Sequence, residues 1–247
     1  MQDLYSGDHS IVFGDKHTWD DWHLIPSSRP LFLPPDVKTN YVDLPGTDGH
    51  ADITEALTGE VLYKNRQGSI EFYVDNGHTR WEYLYSDISN YLHGQKMRAY
   101  LTDDPGFYYE GRFAVNKWES NKYRSSIVID YNVAPYKMDM YSSAEDWLWN
   151  PFDFNIGVIR EYNNIRVNGH LELTVVGSRK TVIPYFRATL DNQANPILLS
   201  WEKEPGKNFA LFNGESKLPD IKIKDETVKL YFDGRGIITV DYRGGSL

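Results

Sequence analysis

Six of the seven histidines fall within residues 1–139. His9, His17 and His23 interleave with Asp15, Asp20 and Asp21, and imidazole with carboxylate is the donor set of a divalent metal site. Their spacing does not set two histidines one helical turn apart, as a zinc-binding helix requires, and a stretch rich in Asp and Gly favours solvated turns. Asp48-Gly49-His50-Ala51-Asp52 resembles a scrap of a calcium loop, but the further acidic ligands, the sixth-position Gly and the closing Glu are missing. A glycine-enabled turn capped by Asp52 accounts for it. Asp20-Asp21 and Asp103-Asp104 are adjacent carboxylates, whereas glycoside hydrolysis needs a facing pair. Neighbours on a strand point to opposite faces, and Asp103-Asp104-Pro105-Gly106 reads as a turn. No nucleophile elbow, phosphate loop, dinucleotide fingerprint or His-Glu-x-x-His motif occurs. No catalytic residue, metal ligand or cofactor is therefore assigned, and a glycan hydrolase stays a remote third reading.

Aromatic rings are the other chemical handle. Trp201, with Phe209 or Phe212 beside Asn208 and Asn213, has the composition of a sugar-stacking platform. The glycan-binding candidates are Trp201, Phe209 and Asn213, and they carry a rival reading: a carbohydrate-binding adhesin acting on a host cell surface. Against it, a Trp within an apolar strand such as Leu198-Leu199-Ser200-Trp201 belongs first to a core.

The elements that must position these residues are mainly β. Ser69–Val74 alternates and ends at the turn signal Asp75-Asn76-Gly77; Ser125–Tyr131 alternates as well. Thr227–Phe232 and Ile237–Tyr242 flank Asp233-Gly234-Arg235-Gly236 and predict a hairpin. Leu171–Val175 and Val182–Tyr185 predict another around Gly177-Ser178-Arg179-Lys180. The one helix predicted spans Ser86–His93, with Leu84, Ile88, Tyr91 and Leu92 on one face and Gly94 as its stop. Asp52–Leu57 predicts one further helical turn, with Glu55 completing a capping box.

Composition narrows the class. The 247 residues hold no Cys, so disulfides and thiolate chemistry are excluded. Mean hydropathy is −0.55, and no apolar run approaches the roughly 18 residues of a membrane helix. Met-Gln-Asp-Leu-Tyr has no basic or apolar signal region, so the expectation is a chain folded where it is made. Aromatics are 15% of residues, which suits pleated sheets and rings buried against neighbouring subunits. Residues 1–139 hold 13 Lys and Arg against 21 Asp and Glu, and residues 140–247 hold 13 against 14. Nearly all of the net charge of −9 thus lies in the first part, a surface that repels nucleic acid. A composition shift between Pro135 and Pro151, around Trp147 and Trp149, divides the chain into 1–140, a packed junction at 141–150, and 151–247.

Three blocks carry a resemblance: Pro45–Leu57 followed by Tyr63–Arg66; Tyr91–Lys96 with Asp103–Arg112; and Asn132–Lys137. With Trp22 as an early Trp, although His23 follows it where a Gly is expected, they cover most of residues 18–140. Their order and spacing resemble the distal tail protein (Dit) family of long, non-contractile-tailed phages. The resemblance implies a β-barrel-like N-terminal domain with one helix and a projecting hairpin, assembled as a hexameric ring, then a peripheral galectin-like β-sandwich. It implies a structural virion protein, not an enzyme, made and assembled in the host cytoplasm and located at the tail tip. The ring would join the tail tube to the tip apparatus, with the major tail tube protein, the tape measure, a tail-associated tip protein and receptor-binding proteins as partners. Its central channel would pass DNA without binding it specifically, helped by lumen carboxylates. The interface residues implied are Trp22, Pro45, Gly46, Asp48, Gly49, Asp52, Arg66, His93, Gly94, Asp104, Pro105, Gly111 and Arg112. Arg66 and Arg112 are expected to pair with carboxylates, within or between subunits.

Overall fold

The computed structural model describes residues 9–75, 80–120, 125–146 and 159–247. The turn at Asn76-Gly77, the Trp147/Trp149 pair and the junction from 147 onward lie outside the described residues. The chain divides into two compact units between Lys137 and Met138. Among the described residues the fold is mainly β with one helix, and its sheets are curled.

The first unit contains β1 (Ile11–Phe13), β2 (Lys16–His17), β3 (Leu24–Pro26), β4 (Tyr41–Asp43), β5 (His50–Asp52), β6 (Arg66–Val74), α1 (Trp81–Leu92), β7 (Lys96–Leu101), β8 (Phe107–Ser120) and β9 (Ser125–Val133). β10 (Lys137–Asp139) straddles the division. Strand order is β2-β1-β7-β8-β9-β6-β3. The two end strands, β2 and β3, are only six residues apart in sequence. Hydrogen bonds from Thr18 N to Ile11 O and from Leu24 N to Thr18 O hold that link tight, so the sheet curls toward closure and its ends are not left open. Leu84, Ile88 and Leu92 turn one face of α1 into the core with Trp22, Phe72 and Ile127. The helix starts five residues before the predicted Ser86, because Arg80 at its N-cap offers no side-chain acceptor and so no start signal. Its end follows the prediction: Gly94 has φ +77° and its N–H reaches Phe113 O at 2.7 Å. Asp52 accepts from Thr54 N in a turn and no helix follows.

The second unit contains β11 (Ile165–Val175), β12 (Tyr185–Leu190), β13 (Ile197–Trp201), β14 (Phe209–Leu211), β15 (Gly214–Lys217), β16 (Val228–Asp241) and β17 (Gly245–Ser246). Both predicted hairpins in this unit are absent. β16 runs unbroken through Asp233-Gly234-Arg235-Gly236 and pairs with β11 from Val228↔Val175 to Ile238↔Ile165. Along its other edge it pairs first with β13, over Leu230–Asp233, and then with β12, over Gly236–Asp241. The glycines mark this change of partner. A Cβ on Gly236 would overlap Thr189 O, and one on Gly234 would press on Ile197. They permit close backbone approach and do not turn the chain. β11 and β12 accordingly lie on opposite edges of β16 and do not pair with each other. Alternation along β12 sends Phe186, Ala188 and Leu190 inward, to a core shared with Trp201, Leu230 and Phe232.

Candidate functional site

The most distinctive feature of the first unit is an arm, residues 33–65, that leaves the sheet before β6 and returns at its first residue. Its outgoing leg pairs with the return leg through Val37↔Tyr63, Lys38 N to Leu62 O, and Lys64 N to Asp36 O. Farther out, β4 and β5 pair as Tyr41↔Asp52, Val42↔Ala51 and Asp43↔His50. Pro45, Gly46, Asp48 and Gly49 form the tip, where positive φ at Gly46 and Gly49 is natural for glycine. Asp43 and His50 hydrogen-bond across the ladder. The hydroxyl and N–H of Thr54 hold the Asp52 carboxyl below its usual range.

The arm has almost no core of its own. Leu33, Val37, Tyr41, Val42, Leu44, Ile53 and Leu62 are all exposed, and Leu57 is 94% exposed. An isolated two-stranded ribbon is marginal in water, and an apolar surface of this kind marks a contact to be made. Six Asp and Glu against two Lys make the arm acidic as well.

The root, by contrast, is rigidly built. Phe32 sits buried between Tyr109 and Tyr131, with ring centroids 4.3 and 4.9 Å away. Arg66 is 4% exposed. Its Nη1 donates to Phe32 O and Leu33 O, both at 3.1 Å, and its Nε donates to Pro135 O at 2.8 Å. The guanidinium lies over the Tyr109 ring at 5.3 Å, the Tyr131 hydroxyl accepts from Leu33 N, and Nη2 is buried with no partner. Burial lowers the Arg66 pKa from its ordinary value, against the opposing influence of Tyr109 and Tyr131. One guanidinium therefore holds the outgoing leg, the returning leg and the segment after β9. The expected carboxylate partner of Arg66 is corrected: its acceptors are three backbone carbonyls, since a buried fork satisfies carbonyl acceptors that water cannot reach. Arg112 is exposed and donates to Gly94 O at 2.9 Å; no carboxylate pairs with it among the described residues.

The other predicted residues scatter by role. Trp22, expected at an interface, is 1% exposed; it is a core ring whose Nε1 donates to Asp87 at 2.9 Å. Gly111 is buried where a Cβ would overlap the backbone of Asn132 and Val133, so it sets the spacing of β8 against β9. His93 and Gly94 end α1. Asp104 and Pro105 lie in the β7–β8 turn, and Asp104 accepts from Lys137 Nζ at 2.6 Å. In that turn Asp103 accepts from His9 at 2.7 Å and Arg29 at 2.9 Å. Burial pushes its pKa up, but these two donors outweigh burial and leave it below 3.8. His17 and Asp21 are spent on a turn, where they accept N–H groups of Trp19, Asp20 and His17 itself. No group of three or more His, Asp or Glu suited to a metal ion occurs among the described residues.

In the second unit the sugar platform is corrected. Trp201 is 6% exposed and packs in the core, leaving no open ring face for stacking. Phe209 packs against the same core with Lys207 Nζ above its ring, and Asn213 Oδ1 accepts from Leu190 N at 2.6 Å. What sequence reasoning missed is Phe32, the anchor of the arm. A three-residue apolar run, Leu31-Phe32-Leu33, between Pro30 and Pro34 is too short to carry a periodic signal.

No protein-family model matches the sequence, and no curated protein sequence matches it. The structure is similar to the crystal structure of Dit (gp 19.1) from phage SPP1, described as a paradigm of the hub adsorption apparatus in phages that infect Gram-positive bacteria. The TM-score is 0.59 at 10% sequence identity, covering 96% of this chain and 99% of that one, so the likeness is one of fold.

Proposed function

We propose that this chain is a structural hub protein of a phage tail tip, acting by symmetric self-association and without a catalytic step. The observation that carries the reading is the likeness in fold to a phage hub protein over nearly the whole of both chains. The arm supports it: an exposed apolar ribbon on a rigid root is what a subunit presents to a neighbour. In this reading six copies close a ring, with one patch meeting a different patch on the next copy. The ring joins the tail tube to the host-recognition apparatus, and the acidic excess of the first unit lines a channel that DNA passes without sticking.

The test is the mass of the purified full chain, by native mass spectrometry and negative-stain electron microscopy, alone and with its tail partners. Six-membered rings are expected. A persistent monomer at high concentration, also unable to form rings with those partners, overturns the proposal.

A further inference from the structure

A closed head-to-tail ring needs two different patches on each copy, and the arm supplies one. The second has to cover apolar side chains and to answer surplus negative charge. Within the arm, Asp43 meets His50, Asp36 faces Lys64, and Asp52 is capped by Thr54. Asp48 at the tip and Glu55 in the next turn meet no cation among the described residues. The arm thus presents two unanswered carboxylates beside Leu44 and Leu57.

Among the described cations of the first unit outside the arm, one place answers this pattern. Lys16, Arg29, Lys117 and Lys137 each meet a carboxylate of their own: Asp21, Asp103, Glu119 and Asp104. Arg66 is buried, and Arg80 lies over Tyr83. On one exposed face of the β7–β8 ladder, however, Lys96 stands directly opposite Arg112 and Arg98 opposite Glu110. Glu110 is the one acid among three cations, bridging Lys96 at 2.5 Å and Arg98 at 3.9 Å. Like charges directly opposite each other weaken a strand pair, so a Lys96–Arg112 pair at the surface of an acidic unit invites an anion. Arg98 lies over Tyr108, its guanidinium carbon 4.5 Å from the ring centre. The aliphatic stems of Lys96 and Arg98 add apolar surface beside their charges.

We infer that the Lys96/Arg98/Arg112 face is the acceptor for the arm of a second copy of this chain, with Asp48 and Glu55 meeting its cations and Leu44 and Leu57 covered at the contact. The inference rests on the self-association proposed above and names the surface that completes it. Charge matching across such a contact sets register and association rate and excludes wrong partners.

The test is a reciprocal charge swap in the full chain. Lys96→Glu/Arg112→Glu and Asp48→Lys/Glu55→Lys are each expected to weaken association about tenfold or more, with the circular dichroism of the folded chain retained. An equimolar mixture of the two variants recovers contacts in which a reversed arm meets a reversed acceptor. Because the native chain contains no Cys, Asp48→Cys/Arg112→Cys treated with a bismaleimide gives a ladder of linked chains, and Asp48→Cys/Lys203→Cys does not. If the native chain assembles and the Lys96/Arg112 variant assembles equally well, the acceptor assignment falls and the ring reading stands. A native chain that stays monomeric alone and with tail partners overturns both. Retention of the native chain on a short DNA duplex at physiological salt, lost in Lys96→Glu/Arg112→Glu while association is unchanged, assigns the face to phosphate and overturns the inference.

Discussion

Replacing Arg66 by Met tests whether one side chain holds the root of the arm. Methionine keeps much of the length and the apolar contact with Tyr109 but removes every donor. Three backbone carbonyls, of Phe32, Leu33 and Pro135, then lose the partners they have at 3.1, 3.1 and 2.8 Å. A hydrogen bond contributes about 1 kcal/mol net, and more when the donor is charged, so the three sum to about 3–5 kcal/mol. Relief of a desolvated guanidinium with an unpartnered Nη2 offsets part of this, leaving about 3 kcal/mol of destabilisation. At about 3 °C per kcal/mol for a unit of this size, melting falls by about 10 °C. Arg66→Lys keeps the charge but not the fork, and recovers only part of the loss. Thermal unfolding by circular dichroism measures the total, and amide hydrogen exchange localises it. The Leu33 N–H, held by the Tyr131 hydroxyl at 2.9 Å, should exchange faster in Arg66→Met while amides of the second-unit strand β12 do not change. An Arg66→Met chain that melts within about 2 °C of the native chain, with Leu33 still protected, would refute the clamp.

Gly236→Ala should destabilise the second unit by about 2–4 kcal/mol, because its Cβ would overlap Thr189 O where β16 passes from β13 to β12; the urea midpoint reads this, and Gly106→Ala, where a Cβ meets nothing within 4 Å, is the near-neutral control. Asp103 is held below 3.8 in the folded chain, so its contribution is fully present above about pH 3.8 and is lost as pH falls through the lower folded value. Urea titrations of Asp103→Asn and the native chain should differ at pH 6 and draw together as pH falls below 3.8; a constant gap would remove Asp103 from the acid response. Leu57→Ser should change monomer stability by less than about 0.5 kcal/mol, since Leu57 is 94% exposed, yet weaken self-association in sedimentation experiments; equal association would take Leu57 out of the contact.

Much of the strand content was legible because period-two alternation survives wherever one sheet face is buried. β6 and β9 follow their alternating segments, and the Gly94 stop follows from local chemistry alone. The hairpin predicted at Gly234 and Gly236 shows where such reading ends. Glycine permits a turn and permits close backbone approach, and only the strands on either side decide which is used. Arg66 makes the same point for the site. Its residue type announced a strong donor, but whether it would meet a carboxylate or a carbonyl depended on Phe32, Leu33 and Pro135, each more than thirty residues away.

The sequence by itself determined the class of this protein: β-rich, without thiols, acid-weighted toward its first part, and bearing the short blocks that mark the arm tip and the β7–β8 turn. These properties are local or additive, so order along the chain suffices to read them. Tertiary structure alone decided which exposed-looking residues were exposed. It placed Trp22 and Trp201 in cores, left Leu57 in water, and set Lys96 opposite Arg112. Burial and cross-strand register are properties of distant segments brought together, which no single stretch of sequence contains.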